Sequence, residues 1–440
     1  MSRAPLPAHL DRALAALPPG ALVVGYSGGA DSSVLLHALA QVCTAHGRGL
    51  RAVHVDHGLH ADSVMWAEHC REFAGGLGVP VHIVRVGVDR GGGTGLEDAA
   101  RAARREAFER SLRPGEILAL AHHRDDQAET VLLKLLRGAG PEGLGGMRAL
   151  RAFGAGWLWR PLLELPRAQL LDYARERGLR WLDDPSNADT ALRRNFLRAE
   201  ILPRLKTRWR DADSALAHSA AWARNAADFI KAEAGKSLAH LRGPDPATLD
   251  WRGWLALPDA LRDPVLRSWL RELRLDEPAH FHVAELERQL REAAEDRLPC
   301  VRFDDTELRR YRDRLYALRP LPPAAGGWQA EWNGAAALAL PGGGTLELEP
   351  ARSLDPPLLV RYRRGGERIK PAGKAHTREL RLLLQEVGVP PWRRGHVPLV
   401  FRNDELLAVG DLFESDAAAA LGLRLRFEPA PHVDSAAPMR

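Results

Sequence analysis

Residues 21–46, ALVVGYSGGADSSVLLHALAQVCTAH, read as a strand, a tight loop and a helix. The run ALVVGY is short and apolar, and Val34, Leu35, Ala38, Leu39 and Val42 then recur at helical spacing. Between them lies Ser27-Gly28-Gly29-Ala30-Asp31-Ser32. Glycines without a Cβ let backbone N–H groups curl around an anion, the helix N-terminus adds partial positive charge, and the serines add hydroxyl donors. The loop is a phosphate cradle in that reading; the plainer alternative is a glycine turn in which Asp31 or Ser32 caps the helix. It is neither a Walker A loop, which needs GK[ST], nor a dinucleotide fingerprint, which needs GxGxxG.

The unit recurs outward from there. RAVHVDHG (51–58), VHIVRVGV (81–88) and EILALAHH (116–123) read as strands, separated by the helical patterns SVMWAEHCREFAGGLG and LEDAARAARREAFERSL and followed by DDQAETVLLKLLRGAG. Short strands alternating with helices predict an α/β fold, a doubly wound parallel sheet with ligands at the carboxyl ends of its strands. The chemistry-bearing residues fall at those ends. Beyond this region 214–320 looks mostly helical, PLPPAAGG (320–327) is a linker signal, and the remainder alternates short strand-like runs with one helix, RELRLLLQEVG. We expect three segments: 1–210, a mainly helical 211–320, and a small α+β domain at 328–430.

Length and composition agree, since 440 residues carry a prior of about three domains. With 45% apolar and 27% charged residues the chain is neither disordered nor a membrane class. Cys43, Cys70 and Cys300 form no CxxC and no metal-type spacing, which disfavours a disulfide framework or structural zinc. Asp11 and Arg12 interrupt the place of a signal-peptide core, and no apolar run of about 18 residues occurs, so we expect a cytoplasmic protein with no membrane partner. The charge is uneven. Residues 148–210 hold 14 basic and 7 acidic residues and 361–402 hold 11 and 3, in an otherwise neutral to acidic chain. Two such blocks point to a polyanion partner.

A second motif, His122-His123-Arg124-Asp125-Asp126-Gln127-Ala128-Glu129-Thr130, opens a helix after the fourth strand. Asp125 and Asp126 with Glu129 suit a helix N-terminus, which explains the acids but not the two histidines. A zinc site is the weaker alternative, because the histidines are adjacent and cysteine ligands are lacking.

The glycine loop resembles that of the PP-loop ATP pyrophosphatase superfamily. With the second motif the chain is similar to the tRNA(Ile)-lysidine synthetase family, through SGGADS, VDHGL (55–59), LEDAAR (96–101), AHHRDDQAET (121–130), LLRGAGPEGLGGM (135–147), RPLL (160–163), DDPSN (183–187) and RRNFLRAEILP (193–203). The C-terminal stretch from VRYRRGGERIK also resembles that family, while 211–350 matches it more in composition than in motif. Arg105 departs from the pattern, which usually has an aromatic residue there.

The resemblance implies a PP-loop catalytic domain at 1–210 and a basic tRNA-binding domain at 328–430. It implies a ligase that uses ATP and Mg²⁺ to adenylate the wobble cytidine of a CAU-anticodon tRNA(Ile) and joins free L-lysine to C2, releasing pyrophosphate and AMP. Ser27, Gly28, Gly29, Ala30, Asp31, Ser32, Asp56 and His57 would then hold the nucleotide, with Asp31 toward Mg²⁺. Asp31, Arg101, Asp126, Glu129 and Arg194 would act in catalysis, Asp126 and Glu129 by selecting the amine of lysine. A homodimer is compatible with it. The basic blocks would meet the tRNA, and Trp392, beside Arg393 and Arg394, is either a stacking platform or part of a small core. Rival assignments are a small-molecule PP-loop ligase, which needs no basic blocks, a tRNA thiolase, which needs activated cysteines, and a catalytically dead tRNA-binding scaffold.

Overall fold

Adjacent residues along the first strands bury into opposite hydrophobic layers, because helices cover both faces of the sheet. Leu22 and Val24, Ala52, Ile117 and Ala119, and Trp159 pack into one layer, while Val23, Val53, Leu118 and Leu158 pack into the other. The computed structural model describes residues 5–58, 62–87, 96–185, 189–294 and 297–429. Leu59, Val88, Ser186, Asn187 and residue 430 of the stretches quoted above lie outside these, as do the side chains of Leu96 and Glu97. Contacts divide the chain into two units, Met1–Phe229 and Ile230–Arg440.

The first unit runs α1 (Leu6–Ala15), β1 (Leu22–Gly25), α2 (Ala30–Ala45), β2 (Leu50–Asp56), α3 (Ser63–Gly76), β3 (Val81–Arg85), α4 (Leu96–Ser111) and β4 (Ile117–Ala119). It continues through α5 (Arg124–Leu135), α6 (Pro141–Leu144), β5 (Leu150–Phe153), β6 (Gly156–Trp159), α7 (Arg167–Glu176), α8 (Arg193–Phe196), a π-helical turn at Leu197–Ile201, α9 (Leu202–Arg208) and the part of α10 (Ala212–Leu241) up to Phe229. Among the described residues the sheet order is β3-β2-β1-β4-β6-β5. All neighbours are parallel except the edge strand β5, which pairs antiparallel with β6. The expected doubly wound parallel sheet is present, with this hairpin added at its edge. Helices α1, α2 and α7 supply Leu10, Leu35 and Leu170 to one layer, and α4 supplies Phe108 to the other.

In the second unit β7 (Thr248–Asp250) precedes three helices, α11 (Trp251–Ala256), α12 (Asp259–Glu272) and α13 (His280–Glu292). A meander of β8 (Cys300–Phe303), β9 (Thr306–Tyr311) and β10 (Arg314–Leu318) follows, in sheet order β7-β10-β9-β8. The stretch read as mostly helical to 320 therefore ends in strands. Its turns lack the glycine that marks most tight hairpins: Asp304 at φ 45° and Arg312 at φ 54° take the left-handed conformation instead. Beyond the linker, among the described residues, lie three antiparallel sheets of five, three and two strands and two short α-helices, with strands on the runs TLELE, LLVR and LVFR. Trp392 packs edge-on against Tyr311 and Tyr316, at ring distances of 6.2 and 5.3 Å, which favours the small-core alternative.

One ion pair ties the sheet of the first unit beneath its functional edge. Arg51 of β2 donates to both oxygens of Glu116 (3.0 and 2.6 Å) and to the Ser111 carbonyl at the end of α4 (2.7 Å). Burial raises the Glu116 pKa, but the hydrogen bonds from Arg51 and from the Arg113 N–H outweigh it, so the carboxyl sits below its ordinary value. A lowered folded-state pKa contributes stability that is complete above the unfolded value and is lost as pH falls through the folded one. Glu116→Gln should cost about 1.5–3 kcal/mol at neutral pH, and the difference from the parent should shrink as pH drops below the ordinary carboxylate range. Chemical denaturation at several pH values measures both; a gap that persists undiminished in acid would assign the loss to packing.

Candidate functional site

The loops leaving the carboxyl ends of β1, β2 and β4 carry the residues singled out in the sequence. After β1, Gly28 has φ 84°, and a Cβ there would meet Leu182 Cδ1 at 2.9 Å and Cys70 Sγ at 3.1 Å. Only glycine fits this turn, both for its backbone angle and for its contact with Leu182. The Leu182 N–H donates to the Gly28 carbonyl (2.9 Å), and the Ser33 hydroxyl donates to the same oxygen (3.4 Å). The Ser32 hydroxyl donates to the Gly29 carbonyl (3.0 Å) and meets Ser27 Oγ at 3.1 Å. Gly29 is the N-cap residue of α2, and no side chain caps that helix. The capping alternative for Asp31 or Ser32 thus fails, and no side chain caps the first turn of the helix.

Asp31 projects from this first turn, about a quarter exposed, with Arg167 Nε at 3.4 Å and His123 Nε2 at 3.7 Å. His123 is buried, and its Nε2 lies 3.3 Å from Asp126 Oδ2. Burial lowers the His123 pKa, but the hydrogen bond to Asp31 and the charges of Asp126, Asp31 and Asp125 raise it above the ordinary value overall. One imidazole therefore stands between the glycine loop and the acidic helix α5. His123 is also the N-cap of α5, and Asp126 returns Oδ2 to the His123 N–H (3.0 Å), so a capping box is present for Asp126. Asp125 does different work: its carboxylate accepts from the Arg167 N–H at the start of α7 (2.9 Å) and pairs with Lys206 (3.0 Å).

Glu129 is fully buried and takes no part in the cap. Arg194 Nε donates to its Oε2 (2.6 Å), and Arg198 donates through Nε to Oε1 (2.7 Å) and through Nη2 to Oε2 (3.1 Å). Both guanidiniums also reach Asp126 Oδ1, at 3.3 and 3.0 Å. Burial lowers the Arg198 pKa, but the bond to Glu129 and the charges of Glu129, Asp126 and Asp31 raise it further. Burial pushes the Asp126 pKa up while His123 and Arg194 hold it below the ordinary range. The two acids and two arginines form one neutral, mutually satisfied cluster. Sequence reasoning found three of the four; Arg198 was missed, although its four-residue spacing from Arg194 already placed both on one helix face.

The remaining candidates lie around this pair of features. Asp56 is buried at the end of β2, where it accepts from the Gly58 N–H (2.9 Å). His57 accepts from Arg104 Nε (3.2 Å); burial and the Arg104 charge push its pKa down to about 4. Arg160 Nε donates to His122 Nδ1 (3.3 Å), and burial pushes His122 down to about 3. Arg101 is exposed on α4, and its charge helps to depress His122 and Arg160. Arg105 stacks over the Phe153 ring at 5.8 Å, supplying a contact where an aromatic residue is usual. Among the described residues no group of three His, Cys, Asp or Glu is placed to hold a metal ion. For Mg²⁺ the fitting donor is Asp31, a hard oxygen ligand beside the phosphate cradle.

Three family models match the chain. The PP-loop domain family matches residues 5–205, the TilS substrate binding domain 249–316, and the TilS substrate C-terminal domain 358–426. The tRNA(Ile)-lysidine synthase of Xanthomonas campestris pv. campestris is 46% identical over 404 residues, covering 90% of this chain and 91% of that protein. That of Xylella fastidiosa strain Temecula1 is 47% identical over 395 residues (89% and 90%), and that of Pseudomonas aeruginosa 42% over 446 residues (98% of each). With the uncapped glycine loop, the acid and arginine cluster and this similarity along nearly its whole length, the chain belongs to the tRNA(Ile)-lysidine synthase family of ATP-dependent PP-loop ligases.

Proposed function

We propose that this enzyme adenylates the wobble cytidine of a CAU-anticodon tRNA(Ile) and joins L-lysine to C2 of that base, in the cytoplasm, with 1–210 as its catalytic domain, 211–320 as a helical domain and 328–430 as a tRNA-binding domain. The observation that carries this is His123, whose one imidazole faces Asp31 of the nucleotide loop and Asp126 of the acid cluster. Nucleotide and amine acceptor then share a single site. The backbone N–H groups at the start of α2 and the Ser27 and Ser32 hydroxyls bind phosphate oxygens, and Asp56 and His57 border the nucleotide from β2. Asp31 would hold Mg²⁺, which supplies charge neutralisation on the departing pyrophosphate. A cytidine in an anticodon loop is open at its Watson–Crick edge, so its O2 can be aligned with the α-phosphate. Arg101 and Arg194 steady the phosphate and base charges during that attack.

The second step needs an uncharged ε-amine aimed at C2 while the α-ammonium of lysine is gripped. Asp126 and Glu129 supply carboxylates for that grip once the ammonium takes the place of one of the two guanidiniums, Arg194 and Arg198, that otherwise neutralise them. His122, kept neutral by burial and faced by Arg160, adds no competing cation beside that amine.

Incubating the protein with ATP, labelled lysine and the CAU-anticodon tRNA(Ile) transcript should place label in the RNA, and Asp31→Ala should abolish adenylation with tRNA affinity nearly intact. Parallel loss of both activities would relocate Asp31 to the RNA surface. In Asp126→Asn, adenylation should survive while the lysine KM rises about thirty-fold or more, the size expected when one partner of a desolvated charge pair is neutralised. An unchanged lysine KM with a lower melting temperature would leave Asp126 as a helix cap only.

The C-terminal basic block divides by its pairing. Arg361 and Arg363 are engaged by Glu367, Arg378 by Glu386 and Lys370 by Asp416. Lys374 and Arg381 are exposed and, among the described residues, have no acidic partner. If this face grips tRNA phosphates, Lys374→Ala and Arg381→Ala should each flatten the salt dependence of tRNA binding by about 0.7–0.9 log units for every phosphate left without its cation, while Arg378→Ala changes it little. Equal slopes in all three would make the block a solvated surface.

A further inference from the structure

Trp209, Trp222 and Phe229 are 65, 76 and 67% exposed. Large rings left this open mark an interaction surface when they are contiguous. Trp222 and Phe229 are seven residues apart on α10, two turns along one face, and the exposed Ala215 lies seven residues before Trp222. Ala215 and Ser219 also line a cavity of about 470 Å³ with Leu205, Trp209, Arg210 and Leu216. The face therefore runs from Trp209 to Phe229, and its α10 portion spans about 20 Å at 1.5 Å per residue.

Its charge is one-sided at the Trp209 end. Arg208 and Arg210 flank that ring, both are exposed, and among the described residues neither has an acidic partner. Asp211 is the acid lining the cavity, and Arg204 is already paired with Glu200 (3.2 Å). The helix that ends at Arg208 begins at Arg193 and carries Arg194 and Arg198, so the face starts about 16 Å along that helix from the acid and arginine cluster.

We propose that this face binds the unpaired nucleotides beside the target base, Trp209 and Trp222 stacking on bases and Arg208 and Arg210 contacting phosphates. It rests on the tRNA assignment made above. Open rings interleaved with unpaired arginines suit single-stranded RNA, whose bases stack on aromatic faces whatever their identity while the phosphates take the cations. The buried centre of a contact between two protein copies is instead depleted of charge.

A fluorescent hairpin RNA with the anticodon-arm sequence, titrated by anisotropy at several salt concentrations, tests it. Trp209→Ala and Trp222→Ala should each weaken binding by about 5- to 150-fold with little change in salt slope, and Trp222→Phe should restore most of the loss. Arg208→Ala and Arg210→Ala should each reduce the slope by about 0.7. Because the rings are exposed, the melting temperature should hold. A Trp209→Ala/Trp222→Ala protein that binds the hairpin like the parent overturns the proposal. So does one whose RNA affinity holds while sedimentation shows a dimer falling to monomer, since the face then joins two copies. The titration does not depend on lysine transfer: a parent protein that binds the hairpin but transfers no lysine sinks the enzymatic assignment and leaves this surface standing.

Discussion

A helix cannot satisfy its own first backbone N–H groups, and at the functional edge of this molecule α2 begins on a glycine loop with no side-chain cap over them. The strand before it must deliver the chain at an angle only Gly28 accepts, and Leu182 must close over that glycine from a segment more than 150 residues away in sequence. The constraint extends downward. Tyr26 and Ser33 meet through their hydroxyls at 3.3 Å beneath the loop, and the His54 ring lies 2.9 Å from the Tyr26 carbonyl, so the support is itself hydrogen-bonded. A loop held this way loses little entropy when phosphate arrives, which is the advantage of preorganisation.

The acid and arginine cluster answers a different problem. A fully buried Glu129 is costly alone, and Arg194 and Arg198 make it tolerable by placing three donor contacts on its two oxygens. Such an arrangement is weak evidence for stability, since an apolar replacement of similar volume often serves as well. The arginines arrive on a helix whose middle turn, Leu197–Ile201, is π-helical, a distortion found most often where a helix is bent to a functional purpose.

What could be read from the sequence was local. SGGADS declares its chemistry because glycine and serine act through their immediate backbone, and the parallel sheet declares itself because strand and helix periods differ. Long-range pairings were hidden: Arg198 meets Glu129 across 69 residues, and only its spacing from Arg194 hinted at it. The β5 and β6 hairpin was overlooked because RAFGAGWLWR is too short to establish an alternation. The β8 to β10 meander was masked because Asp304 and Arg312 turn the chain where glycine is the usual signal. In both cases tertiary pairing, not intrinsic preference, settles the strands.

Charge counted along the chain also overstates what a polyanion would meet. The surplus at 361–402 is partly consumed at home, since Glu367 alone engages Arg361 and Arg363 and accepts from the Arg364 and Gly365 N–H groups. Paired charges still add to the long-range field that steers an anionic partner, but they cannot give up their acids for phosphate without leaving a carboxylate unsatisfied. The cations free to form direct contacts are therefore fewer than the composition suggests. Steering by the block and gripping by a few exposed side chains are separable properties, the first set by net charge and the second by which guanidiniums the fold leaves unclaimed.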